Sequence, residues 1–263
     1  MGYYAIREIY PWLYSIRDPQ DSAYCYLAVG GERALLFDTA HGIGNLPDAV
    51  REVTNKPVTV ALGHGHLDHV GGACQFGEAW LHEADFDLCR RHASEKARSR
   101  LLDRFASDGH ALPEGFERDA YICAGAGSLK KMEPGQIFDL GGLRMEAVGM
   151  EGHTAGSVGL LALERRVLLN SDSANAHVWM FLRESLSISQ YVAMLERVIQ
   201  LDFDVFFIGH CDGPKPKSDF EKYINAARNA SAEKSRPYPV LPEFGGQLYE
   251  ENGAAIIFHK DKL

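Results

Sequence analysis

The sequence predicts an α/β protein whose reactive side chains stand at the ends of β-strands. Short apolar runs bounded by Gly or Pro indicate strands, such as the run 58–62 between Pro57 and Gly63. Stretches with apolar residues at three- and four-residue spacing indicate helices, such as 189–200. His or Asp directly follows several of the strand-like runs. The carboxyl ends of strands are where α/β folds collect their binding and catalytic groups.

The first part of the chain predicts a series of strands with one helix before the last of them. Strand-like runs occupy 6–16, 23–29, 33–38 and 58–62. Gly30 and Gly31 separate the second run from the third and indicate a hairpin turn. Asn45 is placed to cap a helix that has Pro47 in its first turn, and apolar residues then recur at helical spacing.

The second half of the chain returns to strands after residue 136. Strand-like runs occupy 137–140, 143–148, 158–163, 167–170, 205–208 and 254–258, and helical patterns occupy 189–200 and 218–230. Gly141 and Gly142 indicate another hairpin, and Ser187 or Ser189 is expected to cap the first helix. We expect residues 1–263 to form a single domain.

The stretch 82–136 is predicted to be a helical insertion in that domain. A helix over 84–106 places apolar side chains on one face. Its other face mixes basic and acidic residues: Arg90, Arg91, Lys96, Arg98, Arg100 and Arg104, with Asp87, Glu95 and Asp103. We expect this face to be solvated; a lid that attracts an acidic substrate is the alternative. The Gly/Ala-rich run 124–128 lacks the Lys-Ser/Thr ending of a phosphate loop and is expected to be a connector.

One turn carries four possible metal ligands in six residues. His64, His66, Asp68 and His69 follow the run 58–62 with the pattern H-x-H-x-D-H. Imidazole nitrogen and carboxylate oxygen suit Zn²⁺ and tolerate Fe or Mn. A surface turn that happens to be rich in His is the alternative. One turn cannot complete two coordination spheres, so further ligands have to come from elsewhere in the chain.

Three more residues of the same kind follow later strand-like runs. His153 and His210 stand in Gly-rich turns, and Asp172 follows the run 167–170. Taken alone, each His is a candidate structural histidine, and Asp172 is a candidate turn or cap residue. Their shared position after strands favours one common site. Five His and two Asp are about the number of ligands that two adjacent ions need.

Composition excludes several classes of protein. The 263 residues carry a formal net charge of −9, which argues against a nucleic-acid backbone as the main partner. The cysteines are odd in number, widely spread and without a C-x-x-C pair: Cys25, Cys74, Cys89, Cys123 and Cys211. This usage fits free thiols in a reducing compartment, so we expect a cytoplasmic protein. No secretory signal or membrane-spanning apolar run is present in the sequence.

The ordered set of motifs resembles the metallo-β-lactamase superfamily. The motifs are Phe37-Asp38-Thr39, the cluster His64 to His69 with Gly71-Gly72, Gly152-His153-Thr154, Ser171-Asp172 and Gly209-His210. The resemblance covers roughly residues 20–215, without the stretch 82–136. It implies an αββα sandwich: two mixed sheets packed face to face, helices outside, and metals at one sheet edge.

The resemblance also assigns the ligands. It implies that His64, His66 and His153 bind a first ion and that Asp68, His69 and His210 bind a second. Asp172 resembles the carboxylate that bridges both ions. Asp38 matches a family position near the site that is not a direct ligand and supports the ligands instead. Asp68 and Asp172 are therefore the predicted catalytic residues. Gly63 and Ser171 stand where the family often has Thr and Gly, and both replacements are small.

The implied activity is that of a glyoxalase II- or lactonase-like dinuclear hydrolase. A hydroxide that bridges two divalent ions, with Zn²⁺ favoured and Fe or Mn as alternatives, would attack a small ester, thioester or lactone. A phosphodiesterase or other phosphorus-ester hydrolase is the first alternative, and an iron-dependent redox enzyme of the same fold is the second. His66 stands where the flavodiiron branch has Glu. The short segment after His210 argues against the helical domain that binds glutathione.

The substrate side of the site is less defined by the sequence. His177, Trp179, Met180 and Phe181 follow Asp172 and either line a pocket or pack in the core. Arg236, Tyr238 and Phe244 lie in a Pro-rich tail that is a candidate cover for the site. We expect a small-molecule substrate, with neither nucleic acid nor membrane as a partner. The sequence does not define the oligomeric state.

Overall fold

The structure, a computed structural model, describes residues 2–19, 23–240 and 244–263. The strands are β1 (Ala5–Tyr10), β2 (Leu13–Arg17), β3 (Tyr24–Val29), β4 (Ala34–Phe37), β5 (Val58–Ala61), β6 (Glu78–Leu81), β7 (Ser128–Lys131), β8 (Ile137–Asp139), β9 (Arg144–Gly149), β10 (Val158–Ala162), β11 (Val167–Leu169), β12 (His177–Met180), β13 (Val205–Ile208), β14 (Cys211–Pro216), β15 (Arg236–Pro237), β16 (Gln247–Glu251) and β17 (Ala254–Phe258). The α-helices are α1 (Leu46–Val53), α2 (Leu67–Val70), α3 (Phe86–His92), α4 (Glu95–Ser107), α5 (Arg118–Cys123), α6 (Ile188–Val198) and α7 (Asp219–Asn229).

Two large mixed sheets form the centre of the described structure. The first sheet has the order β1-β2-β3-β4-β5-β6-β7, antiparallel as far as β4 and parallel from there to β7. The second has the order β14-β13-β11-β10-β9-β8, with β11 and β13 parallel and the other neighbours antiparallel. The hairpins predicted at Gly30-Gly31 and Gly141-Gly142 are confirmed, since β3 pairs with β4 and β8 with β9.

The central strands of both sheets, such as β4 and β10, are buried on both faces, and this produces the layers. In β4, Leu35 and Phe37 pack between the sheets, whereas Leu36 packs on the helix side with α1. In β13, Phe207 faces the first sheet and Phe206 faces the layer of α6 and α7. Because successive side chains of a strand point to opposite faces, each strand contributes to two cores. The predicted αββα sandwich is confirmed.

A third, four-stranded sheet lies outside the sequence prediction. It has the order β12-β17-β16-β15 within the described residues. Only the β17 run is identified as a strand from the sequence, because β12 is short and its neighbours along the chain carry no hairpin signal. Parallel pairing of β12 with β17 places His177 opposite Ala255 and Trp179 opposite Ile257. This sheet brings the last part of the chain beside the segment that follows Asp172.

The predicted helix over 84–106 is divided into α3 and α4. The first helix ends at His92, and Ser94 caps the second, because its hydroxyl accepts a hydrogen bond from the Ala97 amide. The prediction of a solvated Arg98 was wrong: its side chain is fully buried and donates to the carbonyl oxygens of Gly71 and Gly125. A buried guanidinium needs such acceptors, and here they are the backbone of the segment after the His-rich turn and of the connector.

Residues after α5 return to the first sheet. The segment 82–136 ends in β7, which pairs in parallel with β6 at the sheet edge. The Gly/Ala-rich run 124–128 leads directly into this strand, as expected of a connector. Whether 82–136 is an insertion remains a prediction. In the part of the chain that the structure describes, no helix has the length and apolar character needed to cross a membrane.

Candidate metal centre

Turns at the ends of strands from both sheets meet at one edge of the sandwich. His64 and His66 follow β5 of the first sheet, and α2 begins directly afterwards with Asp68 and His69 in its four residues. His153 follows β9, Asp172 follows β11 and His210 follows β13, all in the second sheet. The structure thus brings together all the residues for which the sequence predicted a role as metal ligand.

Three imidazoles converge on the inner side of this edge. The Nδ1 atom of His66 lies 3.0 Å from Nε2 of His64 and 2.9 Å from Nε2 of His153. His64 and His153 are almost completely buried, and His66 lines the cavity described below. Neutral imidazole nitrogens directed at one point are a donor set that suits Zn²⁺. We call His64, His66 and His153 the three-histidine group.

The opposite ring nitrogens of two of these histidines face acceptors. Nε2 of His66 lies 2.9 Å from Oε1 of Glu184, and Nδ1 of His153 lies 2.7 Å from the carbonyl oxygen of Trp179. An acceptor at one nitrogen holds the ring proton there and leaves the other nitrogen with its lone pair. The converging nitrogens of His66 and His153 are therefore the unprotonated ones.

The second set of side chains combines carboxylates with imidazoles. Asp68 Oδ2 lies 3.4 Å from His69 Nε2 and 3.6 Å from His210 Nε2. Asp172 Oδ2 lies 3.2 Å from His210 Nε2 and 4.0 Å from His153 Nε2, so this carboxylate stands between the two sets. We call Asp68, His69, Asp172 and His210 the carboxylate group.

The surroundings of the His69 ring bear on whether these residues fit a metal. Its ring is fully buried, and Nδ1 lies 2.9 Å from Oδ2 of Asp38. Its Nε2 has no hydrogen-bond partner among the described residues, although a buried polar atom without a partner is costly. A cation held between His69, Asp68 and Asp172 would satisfy that nitrogen. The donor set fits a divalent ion.

Asp38 holds the turn that carries the ligands. Its Oδ1 accepts a hydrogen bond from the Gly63 amide at 2.6 Å, and its Oδ2 accepts one from the Ser171 hydroxyl at 2.8 Å. Asp38 and Ser171 both have positive φ, 62° and 51°, a conformation that costs free energy in residues other than Gly. Carboxylate contacts to both sheets stabilise these conformations at the position where the sheets meet.

Two glycines next to the ligands leave no space for a side chain. A Cβ atom at Gly209 would lie 2.4 Å from Asp172 Oδ1 and 2.8 Å from His69 Cε1. A Cβ atom at Gly63 would lie 2.5 Å from Ser171 Oγ. Such distances are far below van der Waals contact. The Gly in each turn is therefore required by close approach of the two sheets at the site.

The sequence did not identify two carboxylates that organise the site. Glu184, in the loop before α6, faces His66 as described above. Asp85 is buried, and it accepts hydrogen bonds from the amides of Gly65 and Gly156 at 2.8 and 2.9 Å. It thereby ties the turn of His64 and His66 to the turn of His153. Neither carboxylate stands in a motif, so no local signal marked it.

Burial and charge shift the histidine pKa values of the two groups in opposite directions. Burial, together with neighbouring imidazoles, holds the pKa of His64 well below its usual value and lowers that of His153 to about 4. For His210 burial opposes the charge, but the Asp172 carboxylate outweighs it and raises the pKa to about 9. For His69 burial is likewise outweighed by Asp68 and Asp172, and the pKa is raised well above its usual value. Without metal, the carboxylates thus favour the cationic form of His69 and His210, whereas burial favours the neutral form of His64 and His153.

A cavity of about 790 Å³ opens over the two groups. Besides ligand candidates it is lined by His41, Leu67, His92, Arg104, Asn175, Ala176, His177, Trp179, Leu182, Arg183, Glu184, Tyr238 and Phe244. Of the residues proposed after Asp172, His177 and Trp179 line the cavity, whereas Met180 and Phe181 pack in apolar cores. Tyr238 and Phe244 line it as well, but Arg236 pairs with Glu250 instead.

Four layers with His and Asp turns at one sheet edge define a protein of the metallo-β-lactamase type. Residues 18–210 match the metallo-beta-lactamase superfamily, and the chain belongs to that family. In overall structure it is similar to a metallo-beta-lactamase family protein from Thermus thermophilus, with a TM-score of 0.61 and 21% identity over 84% of this chain and 81% of that one.

Two relatives are similar in sequence. The acyl-coenzyme A thioesterase MBLAC2 of Homo sapiens is 24% identical over 192 residues, which are 68% of this chain and 68% of that protein. The hydroxyacylglutathione hydrolase GloC of Haemophilus influenzae is 27% identical over 147 residues, 54% of this chain and 61% of that protein.

Proposed function

We propose that this protein is a hydrolase that cleaves a small thioester, ester or lactone at a centre of two divalent ions, with Zn²⁺ favoured. The observation that carries the proposal is the pair of adjoining ligand groups with Asp172 between them. The distances of 3.2 Å to His210 and 4.0 Å to His153 place one carboxylate within reach of both groups. A single ion would use only one of the two groups.

We propose that each group supplies the ligands of one ion. The three-histidine group would hold the first ion, Asp68, His69 and His210 the second, and Asp172 would contact both. Divalent ions held there would supply a coordinated water with a pKa lowered from about 15.7 toward 7 and would polarise a substrate carbonyl. Asp38 keeps His69 oriented, and Glu184 keeps Nδ1 of His66 unprotonated. Asp68 has the most exposed carboxylate of the group, at 29%, and lines the cavity. Burial raises its pKa, but His69 and His210 outweigh burial and hold the pKa well below its usual value, so Asp68 is present there as a carboxylate.

Thioesters come first among the candidate substrates. One relative is named an acyl-coenzyme A thioesterase and another a hydroxyacylglutathione hydrolase, and both names describe cleavage of an acyl compound. The cavity of about 790 Å³ is large enough for a small-molecule substrate and lies over both ligand groups.

The test combines metal content with a substrate panel. Protein purified without added metal is analysed for its elements, then assayed with thioesters, lactones, β-lactams and phosphodiesters that share a chromophore. We expect two zinc ions per chain and the highest kcat/KM with a thioester, independent of oxygen. Protein treated with chelator, with and without restored Zn²⁺, is the control.

Other outcomes of the panel would point to the alternatives. Fastest turnover of a phosphodiester would replace the proposal with a phosphorus-ester hydrolase. One iron per chain together with oxygen consumption would replace it with a redox enzyme.

A further inference from the structure

The cavity wall outside the ligand groups carries unpaired positive charge. Arg104 on α4 and Arg183 in the loop after β12 both line the cavity, and neither has an ion-pair partner among the described residues. Several arginines elsewhere on the described surface do have one, such as Arg166 with Asp204 and Arg197 with Glu151. The two arginines at the cavity are therefore available to a ligand.

The acidic residues that line the cavity are paired with histidines and do not neutralise the two arginines. All three carboxylates that line the cavity in the described part of the chain lie close to imidazoles: Glu184 at 2.9 Å from His66, Asp68 at 3.4 Å from His69, and Asp172 at 3.2 Å from His210. The chain as a whole has a net charge of −9, so a cationic wall at this cavity is a local departure from the overall balance. Positive charge at the mouth of a cavity attracts anionic ligands and raises their rate of association.

Another part of the same wall is aromatic. Trp179 and Tyr238 have ring centroids 6.5 Å apart, and Phe181 links Tyr238 to Phe244 at 5.9 and 6.2 Å. The Phe244 side chain is 49% exposed although it is large and apolar, and it lines the cavity. An exposed aromatic group at a cavity is a common contact for the apolar part of a ligand.

We propose that the cavity selects acyl substrates that carry an anionic group. Arg104 and Arg183 bind the carboxylate or phosphate of the substrate, and Trp179, Tyr238 and Phe244 pack against its apolar part. This inference rests on the proposed function, because it assigns the substrate of the same centre. It also gives a role to Arg104, one of the basic residues of the helix that the sequence analysis considered as part of a lid.

The test compares anionic and neutral thioesters that share one acyl group. The probes are a coenzyme A thioester, which carries phosphates, a glutathione thioester, which carries carboxylates, and the neutral N-acetylcysteamine thioester. We expect kcat/KM to be higher for at least one anionic probe, with the advantage reduced at high salt because screening weakens exposed charges. Which anionic probe is preferred distinguishes phosphate from carboxylate.

Variants assign the preference to residues. In Arg104→Gln and Arg183→Gln we expect the ratio of kcat/KM for anionic over neutral thioester to fall about threefold to tenfold, mainly through KM, the range for loss of one charge-assisted contact. Arg100→Gln is the matched control, since Arg100 is exposed on the same helix and does not line the cavity. An unchanged ratio in both variants, or an equal change in the control, would overturn the proposal.

A binding measurement separates this proposal from the proposed function. Titration calorimetry with a thioether analogue, which cannot be hydrolysed, reports anion recognition even if no thioester is cleaved. Arginine-dependent binding without hydrolysis would contradict the hydrolase and leave the anionic ligand in place. Equal rates of hydrolysis for the neutral and the anionic thioesters would support the hydrolase and refute anion recognition by the two arginines.

A second pair of variants tests the aromatic part of the wall. Phe244→Ala is expected to weaken the binding of analogues with longer acyl chains. Val240→Ala, at a residue equally exposed at 50% and outside the cavity, is not expected to do so.

Discussion

The three-histidine group and the carboxylate group lie side by side but differ in burial and in charge. His64 and His153 are 1% and 2% exposed, whereas the side chains of His210 and Asp68 are 23% and 29% exposed; His69, which is fully buried, is the exception in the carboxylate group. Lowered pKa values keep His64 and His153 neutral, while His69 and His210 carry protons paired with carboxylates. The first group is thus ready to bind an ion at neutral pH, and the second has to release protons first.

Removing the shared carboxylate is the strongest test of this difference. Asp172→Ala takes away the contact between the groups and the charge opposite His210, so we expect loss of the second ion while the first is retained. Turnover should fall by at least about a hundredfold, because activation of water needs the complete centre. Elemental analysis and kcat measure the two effects.

A surface carboxylate provides the control for that variant. Asp139→Ala removes an Asp at the end of β8, remote from the cavity lining, and should keep both ions and full turnover. Near-normal metal content and rate in Asp172→Ala would mean that this residue does not join the two groups.

The variant Glu184→Gln is expected to disturb the three-histidine group alone. The amide loses the charge that holds the proton on Nε2 of His66, so Nδ1 becomes a poorer ligand. We expect the affinity of the first ion to fall about tenfold to a hundredfold, with the second ion little affected. Competition with a chromophoric chelator and the absorption spectrum of the Co²⁺-substituted protein report this. Glu250→Gln, at an exposed pair with Arg236, is the control. Equal weakening of both ions would show that Glu184 acts on the fold and not on His66.

The last prediction compares the protons that the two groups release when they bind an ion. The pKa of His210 is raised to about 9 in the metal-free protein, so below that pH an ion has to displace its proton. The pKa of His69 is raised as well, so each of the two histidines has a proton to release, and affinity for the second ion should rise by at least about tenfold per pH unit between 7 and 9. The pKa of His153 is lowered to about 4, so affinity for the first ion should be flat over this range. Calorimetry in buffers of different ionisation enthalpy counts the protons released. Proton release from the first ion alone would reverse the comparison.

The strands and turns around the site could be predicted because their signals are local. An apolar run followed by Gly and His identifies both the strand and the residue at its end, as at β5 with His64 and at β13 with His210. The cap at Asn45 was equally local, and its side chain accepts a hydrogen bond from the Asp48 amide. Arg98 shows where such reasoning failed. A pattern of basic residues on a helix indicates a solvated face, but one member is buried because backbone carbonyls from distant segments meet it.

The sequence by itself determined the strands and the set of His and Asp residues at their ends, since apolar runs and turn chemistry act over a few residues. The sandwich was predicted through the resemblance of the ordered motifs to the metallo-β-lactamase superfamily. Only the tertiary structure decided which further side chains hold those His and Asp residues in position through hydrogen bonds. Glu184 reaches His66 from 118 positions away, and Asp85 joins two turns that are distant along the chain. The cationic and aromatic parts of the cavity wall come from α4, from the loop after β12 and from the third sheet, which meet only in the folded chain. Contacts of this kind depend on how sheets stack, and hydrophobic burial, which drives the stacking, leaves no residue-specific pattern in the sequence.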